Sequence, residues 1–493
     1  MTTINKQLSQ YHPSLSNADL RPAQQNWTWY NYFSFWMSDV HSLGGYVVAA
    51  SLFTLGLSSW QVLVALVLGI SWVQYCANLV ARPSQRSGVP WAVVCRQAFG
   101  VYGAKIPALI RGLIAMAWYG IQTWLASNAL MLILLKYLPS TAALTQHSFA
   151  GLSALGWLCF IGMWLLQALV FWKGMQAIKR FIDWAGPAVY VVMIALVIWL
   201  VQQVGWNNIS FQLSREQLTT AQQLGQFLVA VALVVSYFSG PLLNFGDFAR
   251  YAKSMQQIYK GNFWGLPFNF IFFALITVTT VAATYSLTGK MIHDPLQTAA
   301  LIDHELVLAL GLITLLIATI GINIVANFVS AGFDFSNVFP AKISFRTGGL
   351  IAALASIVIT PWNLFQSPEL IHYTLDVLAA FIGPLFGILI VDFYWVHRQQ
   401  IKVDALFSCD PKAAYWYKKG VNPRAMLALA IAVLIGLTFV LTPALQHLAA
   451  FNWFIGAGIA MGCYAFLNRA QIRHPRRGSA GQVQAVHDPS SVP

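Results

Sequence analysis

Twelve apolar segments dominate this chain, and each is long enough to cross a lipid bilayer as a helix, which takes about 20 residues. They lie at residues 29–56, 60–81, 105–135, 150–172, 186–203, 224–246, 263–287, 305–332, 347–364, 371–396, 424–442 and 448–467. Only 9% of the 493 residues are charged, whereas a soluble domain carries about 25%. We therefore expect an all-α polytopic membrane protein with 12 transmembrane helices.

The positive charges are distributed unevenly between the two sides of this predicted membrane protein. With the N-terminus in the cytosol, the outer side holds only Lys136, Arg215 and Lys290, whereas the inner side holds the other loop charges, including a dense run from Arg398 to Arg424. This asymmetry follows the positive-inside rule and places both termini in the cytosol. The net charge of +13 then reflects orientation and contact with anionic lipid of the bilayer, and no nucleic-acid partner is expected.

Nothing in the sequence points to a cofactor or to a metal site. The five cysteines are scattered and form no Cys-x-x-Cys pair, so neither a zinc site nor a disulfide framework is supported. The stretch from Lys290 to Glu305 holds His293, Asp294, Asp303 and His304, and the polarity of a solvated loop explains it as well as a metal does. The first 26 residues lack the apolar core of a cleavable signal peptide.

Two of the spans carry helix breakers and polar residues at their middles, about two hundred residues apart. Span one contains Gly44-Gly45 after Asp39 and His41, and span six contains Gly240-Pro241. Open backbone is tolerated in a membrane only where protein or a watery cavity covers it. Paired interrupted helices in the two halves of a chain indicate a transporter's binding site at the repeat interface. The twelve spans divide as five, five and two, which predicts an inverted repeat.

This division sets the expected organisation of the chain. The predicted units are a cytosolic segment (1–28), a first five-helix repeat (29–203), an inverted second repeat (224–396), a cytosolic loop (397–423), two peripheral helices (424–467) and a cytosolic, disordered tail (468–493).

Spans three and eight carry polar side chains at helical spacing. Trp118 and Gln122 are four residues apart and share one helical face, where an indole and an amide would suit a flat heterocycle with N–H and C=O groups. Packing between helices explains the same pair. Asn323 and Asn327 also share a face, and they either bond a substrate or pin helices together.

Acidic residues within the spans are costly, so each calls for a role. Asp39 lies deepest and is a candidate for proton coupling with His41, or for a structural bond to the unwound backbone. Asp247, Asp334 and Asp392 lie near cytosolic ends of spans. We expect them to form gate or anchor ion pairs with nearby basic residues such as Arg250 and Arg398.

With these residues in place, the chain resembles a bacterial member of the nucleobase:cation symporter-1 family, which includes carriers for cytosine, uracil, allantoin and hydantoins. The matching stretches run in order over about 380 residues: 17–20, 27–29, 55–61, 88–90, 96–104, 118–123, 244–250, 323–327, 383–384 and 392–394. The resemblance implies a five-plus-five inverted-repeat (LeuT-like) transporter fold with two extra C-terminal helices, in the bacterial inner membrane.

The resemblance also implies substrate-binding residues between the broken helices and spans three and eight. Trp118 would stack on the substrate and Gln122 would bond it, while Phe238 would be the second aromatic of the sandwich. Phe at this position is typical of cytosine and uracil carriers, and Trp of hydantoin and allantoin carriers. The remaining contacts would come from Ser42, Asn327 and the backbone at Gly240.

The chain departs from sodium-coupled relatives in span eight. They place two hydroxyl residues side by side there, where this chain has Gly321 and Ile322. Carbonyls near Ser38, His41 and Ala318 remain weak ion candidates, so we expect proton rather than sodium coupling.

The expected function is secondary active import of a planar nucleobase or related heterocycle by cation symport, with uracil ahead of other pyrimidines, allantoin and hydantoin. An amino-acid carrier of the same fold is the alternative. An enzyme is disfavoured because the metalloprotease, nucleophile-elbow and phosphate-loop motifs do not occur. A channel is disfavoured because no filter repeat is evident.

Overall fold

The computed structural model describes residues 11–211, 218–290 and 305–473, together with 292, 295–299 and 301. The helices are α1 (Trp29–Val40), α2 (Leu43–Ser51), α3 (Ser59–Ser87), α4 (Trp91–Phe99), α5 (Lys105–Tyr137), α6 (Ala154–Trp172), α7 (Met175–Val204), α8 (Thr220–Asn244), α9 (Gly246–Ala249), α10 (Met255–Phe263), α11 (Asn269–Thr288), α12 (Pro295–Ala299), α13 (Glu305–Ile322), α14 (Ser330–Val338), α15 (Phe345–Val358), α16 (Pro368–Ile390), α17 (Val403–Leu406), α18 (Pro423–Leu441), α19 (Asn452–Leu467) and α20 (Arg469–Arg473). Wide helical turns at Trp264–Phe268, Asn323–Val329 and Val391–Val396 join or extend these helices. Strands β1 (Ser148–Phe149) and β2 (Leu152–Ser153) form a small antiparallel hairpin.

Each of the twelve predicted spans falls on a helical stretch, which confirms the all-α class. Within the described residues, nine helical stretches are long and apolar enough to cross a membrane. The third span, α5, has 33 residues but is not among the nine, and it carries Arg111 and Gln122 along its length. The apolar helices over Leu43–Leu55 and Phe345–Val358 are shorter. The count of twelve crossings therefore stays a prediction.

Span one is interrupted where the sequence predicts it. Helix α1 begins behind Thr28, whose backbone N–H donates to Asn31 Oδ1 at 3.0 Å, and ends at Val40. The chain then extends through His41 and Ser42 before α2 begins. The Ser42 hydroxyl accepts from the N–H of Gly45 at 2.9 Å, so it caps α2 as a new helix. The interruption is therefore a helix end followed directly by a capped helix start.

Span six is not interrupted where we predicted it, and this prediction is wrong. Helix α8 continues through Gly240 and Pro241 as far as Asn244, and the chain turns only at Phe245 before α9. Proline removes a single N–H, the one that would donate to the carbonyl of Tyr237, and tightly packed membrane helices tolerate that loss. The backbone at Gly240 is therefore inside a helix rather than in an unwound segment.

The N-terminal segment, residues 11–28, is bonded to residues at or near the ends of several helices. Asn17 donates to the Ser336 hydroxyl at 2.8 Å and to the Ile343 carbonyl at 3.1 Å. The buried guanidinium of Arg250 donates to the backbone carbonyls of Gly88, Asp19 and Arg21. Because Arg250 uses its donors on carbonyls, it is in direct ion contact with none of the three acids for which we predicted ion pairs with nearby basic residues, Asp247, Asp334 and Asp392.

At the other end of the chain, α16 packs against α19, and α18 packs against both. Asp392 accepts from the Tyr464 hydroxyl at 2.7 Å and pairs with His397 at 3.1 Å. The nearby basic residue that contacts Asp392 is therefore His397 and not Arg398, since Arg398 has a left-handed backbone and its side chain donates to the Ile472 carbonyl.

The predicted tail, 468–493, begins with the short helix α20, and residues 474–493 lie outside the described residues. His293, Asp294, Asp303 and His304 also lie outside them. Across the described part of the chain, no group of three or more His, Cys, Asp or Glu could hold a metal ion.

Candidate functional site

Three of the predicted site residues converge on the hydroxyl-bearing ring of Tyr237. The Trp118 indole meets this ring edge-on with centroids 5.3 Å apart. The Gln122 amide donates to the Tyr237 hydroxyl at 3.4 Å, and the Ser42 hydroxyl lies 3.3 Å from the same oxygen. The structure therefore brings α5, α8 and the break in span one together at one point.

This cluster has a close backbone approach at Gly44, the second residue of α2. A Cβ added to Gly44 would lie 2.7 Å from Gln122 Nε2 and 3.1 Å from the Tyr237 hydroxyl. The Gln122 side-chain oxygen is buried and has no hydrogen-bond partner among the described residues. An unpaired acceptor beside a flat indole is the arrangement that a heterocyclic N–H can complete.

Phe238 lies beside this cluster but does not face Trp118. Its ring meets Tyr237 at 5.0 Å and Phe270 of α11 at 5.5 Å, both edge-on. The second aromatic next to Trp118 on α8 is Tyr237, and Phe365 approaches the indole from another side at 5.6 Å. The sequence analysis assigned no role to Tyr237.

The two amides of span eight have different surroundings. Asn323 donates to the Gln167 side chain at 2.6 Å, to the Thr123 hydroxyl at 3.0 Å and to the Tyr119 carbonyl at 3.0 Å. It therefore joins α5, α6 and the turn after α13. Asn327 donates only to Asn323 Oδ1, at 3.0 Å, among the described residues. Asn323 pins helices together, whereas Asn327 retains capacity for another bond.

The coupling-ion candidates lie around the break in span one. The N–H of Leu43 donates to the Thr319 hydroxyl at 3.3 Å, and a Cβ on Gly321 would lie 3.8 Å from the Ser38 Cβ. Span eight, including the buried Ala318, thus packs directly against the break. The Ser38 hydroxyl and both Asp39 carboxylate oxygens lack hydrogen-bond partners among the described residues.

His41 and Asp39 contact different residues. Its Nε2 is 3.3 Å from the Asn269 side-chain oxygen, and its ring meets Tyr190 edge-on at 4.0 Å. Within the described chain no hydrogen bond or ion pair joins His41 to Asp39. The structure therefore places the two predicted coupling residues in separate surroundings, one facing α7 and α11 and the other facing α5.

Asp39 faces a residue that sequence reasoning missed. Arg111 of α5 is fully buried, and its charge acts on Asp39, Asp247 and Asp334. A Cβ on Gly240 would lie 3.3 Å from Arg111 Nη2, so α8 crosses α5 closely at this point. Arg111 precedes Trp118 by seven residues, two helical turns, and that spacing on one face was a signal that could have found it.

The comparisons with known proteins identify the family to which the chain belongs. Residues 20–456 match the model of a family described as permeases for cytosine/purines, uracil, thiamine and allantoin. The chain is 34% identical to an allantoin permease of Bacillus subtilis (strain 168) over 475 residues, which cover 95% of this chain and 96% of the relative. It is 31% identical to the purine-uracil permease NCS1 of Arabidopsis thaliana over 430 residues, with 86% and 72% covered.

Solved structures show the same fold. A nucleobase-cation-symport-1 family transporter, in a closed conformation with bromovinylhydantoin bound, has a TM-score of 0.73 and 21% identity, with 93% of this chain and 96% of that chain covered. A Na+-coupled sialic acid symporter has a TM-score of 0.60 and 11% identity, with 91% and 90% covered. These similarities confirm the predicted inverted-repeat transporter fold. The family match and the extent of the relatives show that the chain is a permease and not an enzyme, and that it belongs to the nucleobase:cation symporter-1 family.

Proposed function

We propose that this permease imports a planar, uncharged heterocycle by cation symport, and that the ring binds beside Trp118. The observation that supports this proposal is the convergence of an indole, an unpaired amide oxygen and two hydroxyls at the break in span one. A base stacked on an aromatic ring gains about 1–3 kcal/mol. A heterocycle bound here would take over the bonds that Gln122, Ser42 and Tyr237 make with one another, and Asn327 would lie close to its other edge.

Two substrates are favoured for different reasons. Phe238, in place of a Trp, favours uracil, as the family resemblance implies. The 34% identity with the allantoin permease of Bacillus subtilis favours allantoin. A thermal-shift screen of purified protein against nucleobases, hydantoins, ureides and amino acids separates these candidates, since a bound ligand raises apparent stability. A shift with amino acids alone would overturn the proposal.

The placement of the substrate has its own test. Trp118→Ala and Gln122→Ala remove the stacking surface and the amide, so each should abolish the thermal shift and the uptake of radiolabelled uracil or allantoin. Far-UV circular dichroism and gel filtration establish that the variants remain folded. Affinity equal to that of the wild type in both variants would refute the placement.

We propose proton coupling, with Asp39 and His41 as candidates. Span eight offers Gly321 and Ile322 where sodium-coupled relatives carry hydroxyls, and the Thr319 hydroxyl already donates to the Leu315 carbonyl at 2.8 Å. Uptake should therefore persist when choline replaces sodium and should depend on pH. Uptake that requires sodium and does not change with pH would contradict this proposal.

The same proposal includes orientation and organisation. Both termini would lie in the cytosol, which the excess of Lys and Arg on one side supports. The membrane would be the bacterial cytoplasmic membrane, as the family resemblance implies. The two repeats would span 29–203 and 224–396, with the candidate site between them.

A further inference from the structure

Two carboxylates, those of Asp247 in α9 and Asp334 in α14, lie next to Asn244, the last residue of α8. The side-chain nitrogen of Asn244 lies 3.1 Å from Asp247 Oδ2 and 3.3 Å from Asp334 Oδ2. Both acids are fully buried. One amide thus bridges two acids, which places like charges close together in a medium of low dielectric.

The remaining contacts of this carboxyl pair do not neutralise two negative charges. Asp247 also accepts from the N–H of Trp91 at 2.9 Å, whereas Asp334 Oδ1 has no hydrogen-bond partner among the described residues. A neutral amide and one N–H can stabilise one carboxylate. Two adjacent carboxylates in such a site cannot both ionise without large repulsion.

The cations near the pair are also shared. Arg111 is not in direct ion contact with either acid in the described chain, and its charge acts on Asp39 as well. Its Nη2 donates to the Ala326 carbonyl at 3.3 Å, while its Nε and Nη1 have no partner among the described residues. Arg250 acts on Asp247 at a distance, but its hydrogen bonds go to backbone carbonyls.

The other titratable groups that face the pair carry no positive charge. Cys95 of α4 is fully buried and interacts electrostatically with both acids. Tyr251 interacts electrostatically with Asp247. With Asp39, Asp247 and Asp334 ionised, the one central arginine leaves two negative charges in excess. One excess negative charge remains after the more distant Arg250 is counted. A single proton shared between the two acids removes that excess.

We propose that Asp247 and Asp334 share one proton and form a proton-binding site on the cytosolic side, and that loss of this proton drives α9 and α14 apart and opens the path from the candidate site to the cytosol. The opening step rests on the transport function proposed above, whereas the proton site itself does not. The proton leaves to cytosolic water and returns from it, and no other reactant is required.

The test measures proton binding without any substrate. The unfolding equilibrium of purified protein in detergent is followed from pH 6 to pH 9 for the wild type, Asp247→Asn and Asp334→Asn. The folded pair holds a proton that the unfolded chain releases, so the ratio of folded to unfolded protein should fall as pH rises. In the wild type this fall should be steeper than in either variant, by up to tenfold per pH unit for one proton. Either substitution alone should remove this difference, since the remaining carboxylate stands alone.

Asp410→Asn is the matched control, because it removes an exposed carboxylate of the cytosolic loop and should keep the wild-type slope. His397 titrates in all these proteins, so its contribution cancels in the comparison. Slopes that are equal in the wild type and both pair variants would overturn the proposal.

Hydrogen–deuterium exchange of wild-type protein keeps the proposal falsifiable if a pair variant fails to fold. After correction for the intrinsic rate, exchange in peptides covering 244–252 and 330–338 should rise with pH, while exchange in α19 stays constant. A flat profile in both peptides would overturn the opening step. Failure of the substrate screen would count against the transport proposal and leave the proton measurement intact.

Discussion

Gly44→Ala is the sharpest test of where the ligand binds, because one methyl group reaches the residues that should read the substrate. The new Cβ would lie 2.7 Å from Gln122 Nε2 and 3.1 Å from the Tyr237 hydroxyl. Ordinary contacts are longer, so the Gln122 amide must move away from its position. The helix itself should not suffer, since alanine favours helix over glycine by up to about 1 kcal/mol.

The expected loss of affinity follows from the displaced amide. Leaving one buried polar group of a ligand unpaired costs about 1–3 kcal/mol. Because every 1.4 kcal/mol corresponds to tenfold in Kd, Gly44→Ala should weaken binding by about 5- to 140-fold. Binding of radiolabelled uracil and allantoin to purified protein measures this change, and thermal unfolding should show a stability within about 1 kcal/mol of the wild type.

Gly162→Ala provides the matched control, because Gly162 lies within α6 and nothing approaches its added Cβ within 4 Å. This variant should bind as tightly as the wild type. If Gly44→Ala also bound with wild-type affinity, Gln122 would not contact the ligand, and the proposed site would be wrong.

Two further predictions concern stability. Asn323→Ala removes four hydrogen bonds, three that the amide donates and one that it accepts from Asn327. Membrane-buried hydrogen bonds average about 0.6 kcal/mol each, so the unfolding free energy should fall by about 2.4 kcal/mol, against about 0.6 kcal/mol for Asn327→Ala. Equal losses in a denaturant titration would contradict the conclusion that Asn323 holds the helices together. Burial alone would lower the pKa of His397, but the charge and hydrogen bonds of Asp392 raise it overall. The ion pair of protonated His397 with Asp392 therefore stabilises the folded protein fully below the ordinary histidine pKa of about 6.5, and this stabilisation is lost as pH rises through the raised pKa. His397→Gln should remove this pH-dependent decline in thermal stability. A pH profile of thermal stability equal to that of the wild type would refute the pairing.

The sequence predicted the helical class and the break in span one because long apolar runs and the pair of glycines act locally. It failed at span six, because a Gly-Pro pair ends a helix in water but not where neighbouring helices hold the backbone. Trp118 and Gln122 were found from their spacing, and the structure brings both to the same ring. The neighbour of Trp118 is Tyr237 and not the predicted Phe238, because adjacent residues of the continuous helix α8 point to different faces.

Arg111 and the Asp247–Asp334 pair show a different limit of sequence reasoning. Basic residues near in sequence, such as Arg250, were taken as the partners of these acids, and the structure gives those donors to backbone carbonyls instead. The facing arginine lies more than a hundred residues away in the chain. Which acid meets which base depends on helix packing, and one sequence carries no direct record of that.

The bonding of Arg250 sets a limit on how far this protein can be shortened. Two of its three carbonyl acceptors, those of Asp19 and Arg21, belong to the segment ahead of α1. A version trimmed past these residues would leave the Arg250 guanidinium with only the Gly88 carbonyl as acceptor. Removing partners from a buried charge costs several kcal/mol. Expression designs for crystallography or cryo-microscopy should therefore retain this stretch and place fusion partners or cleavage sites upstream of it.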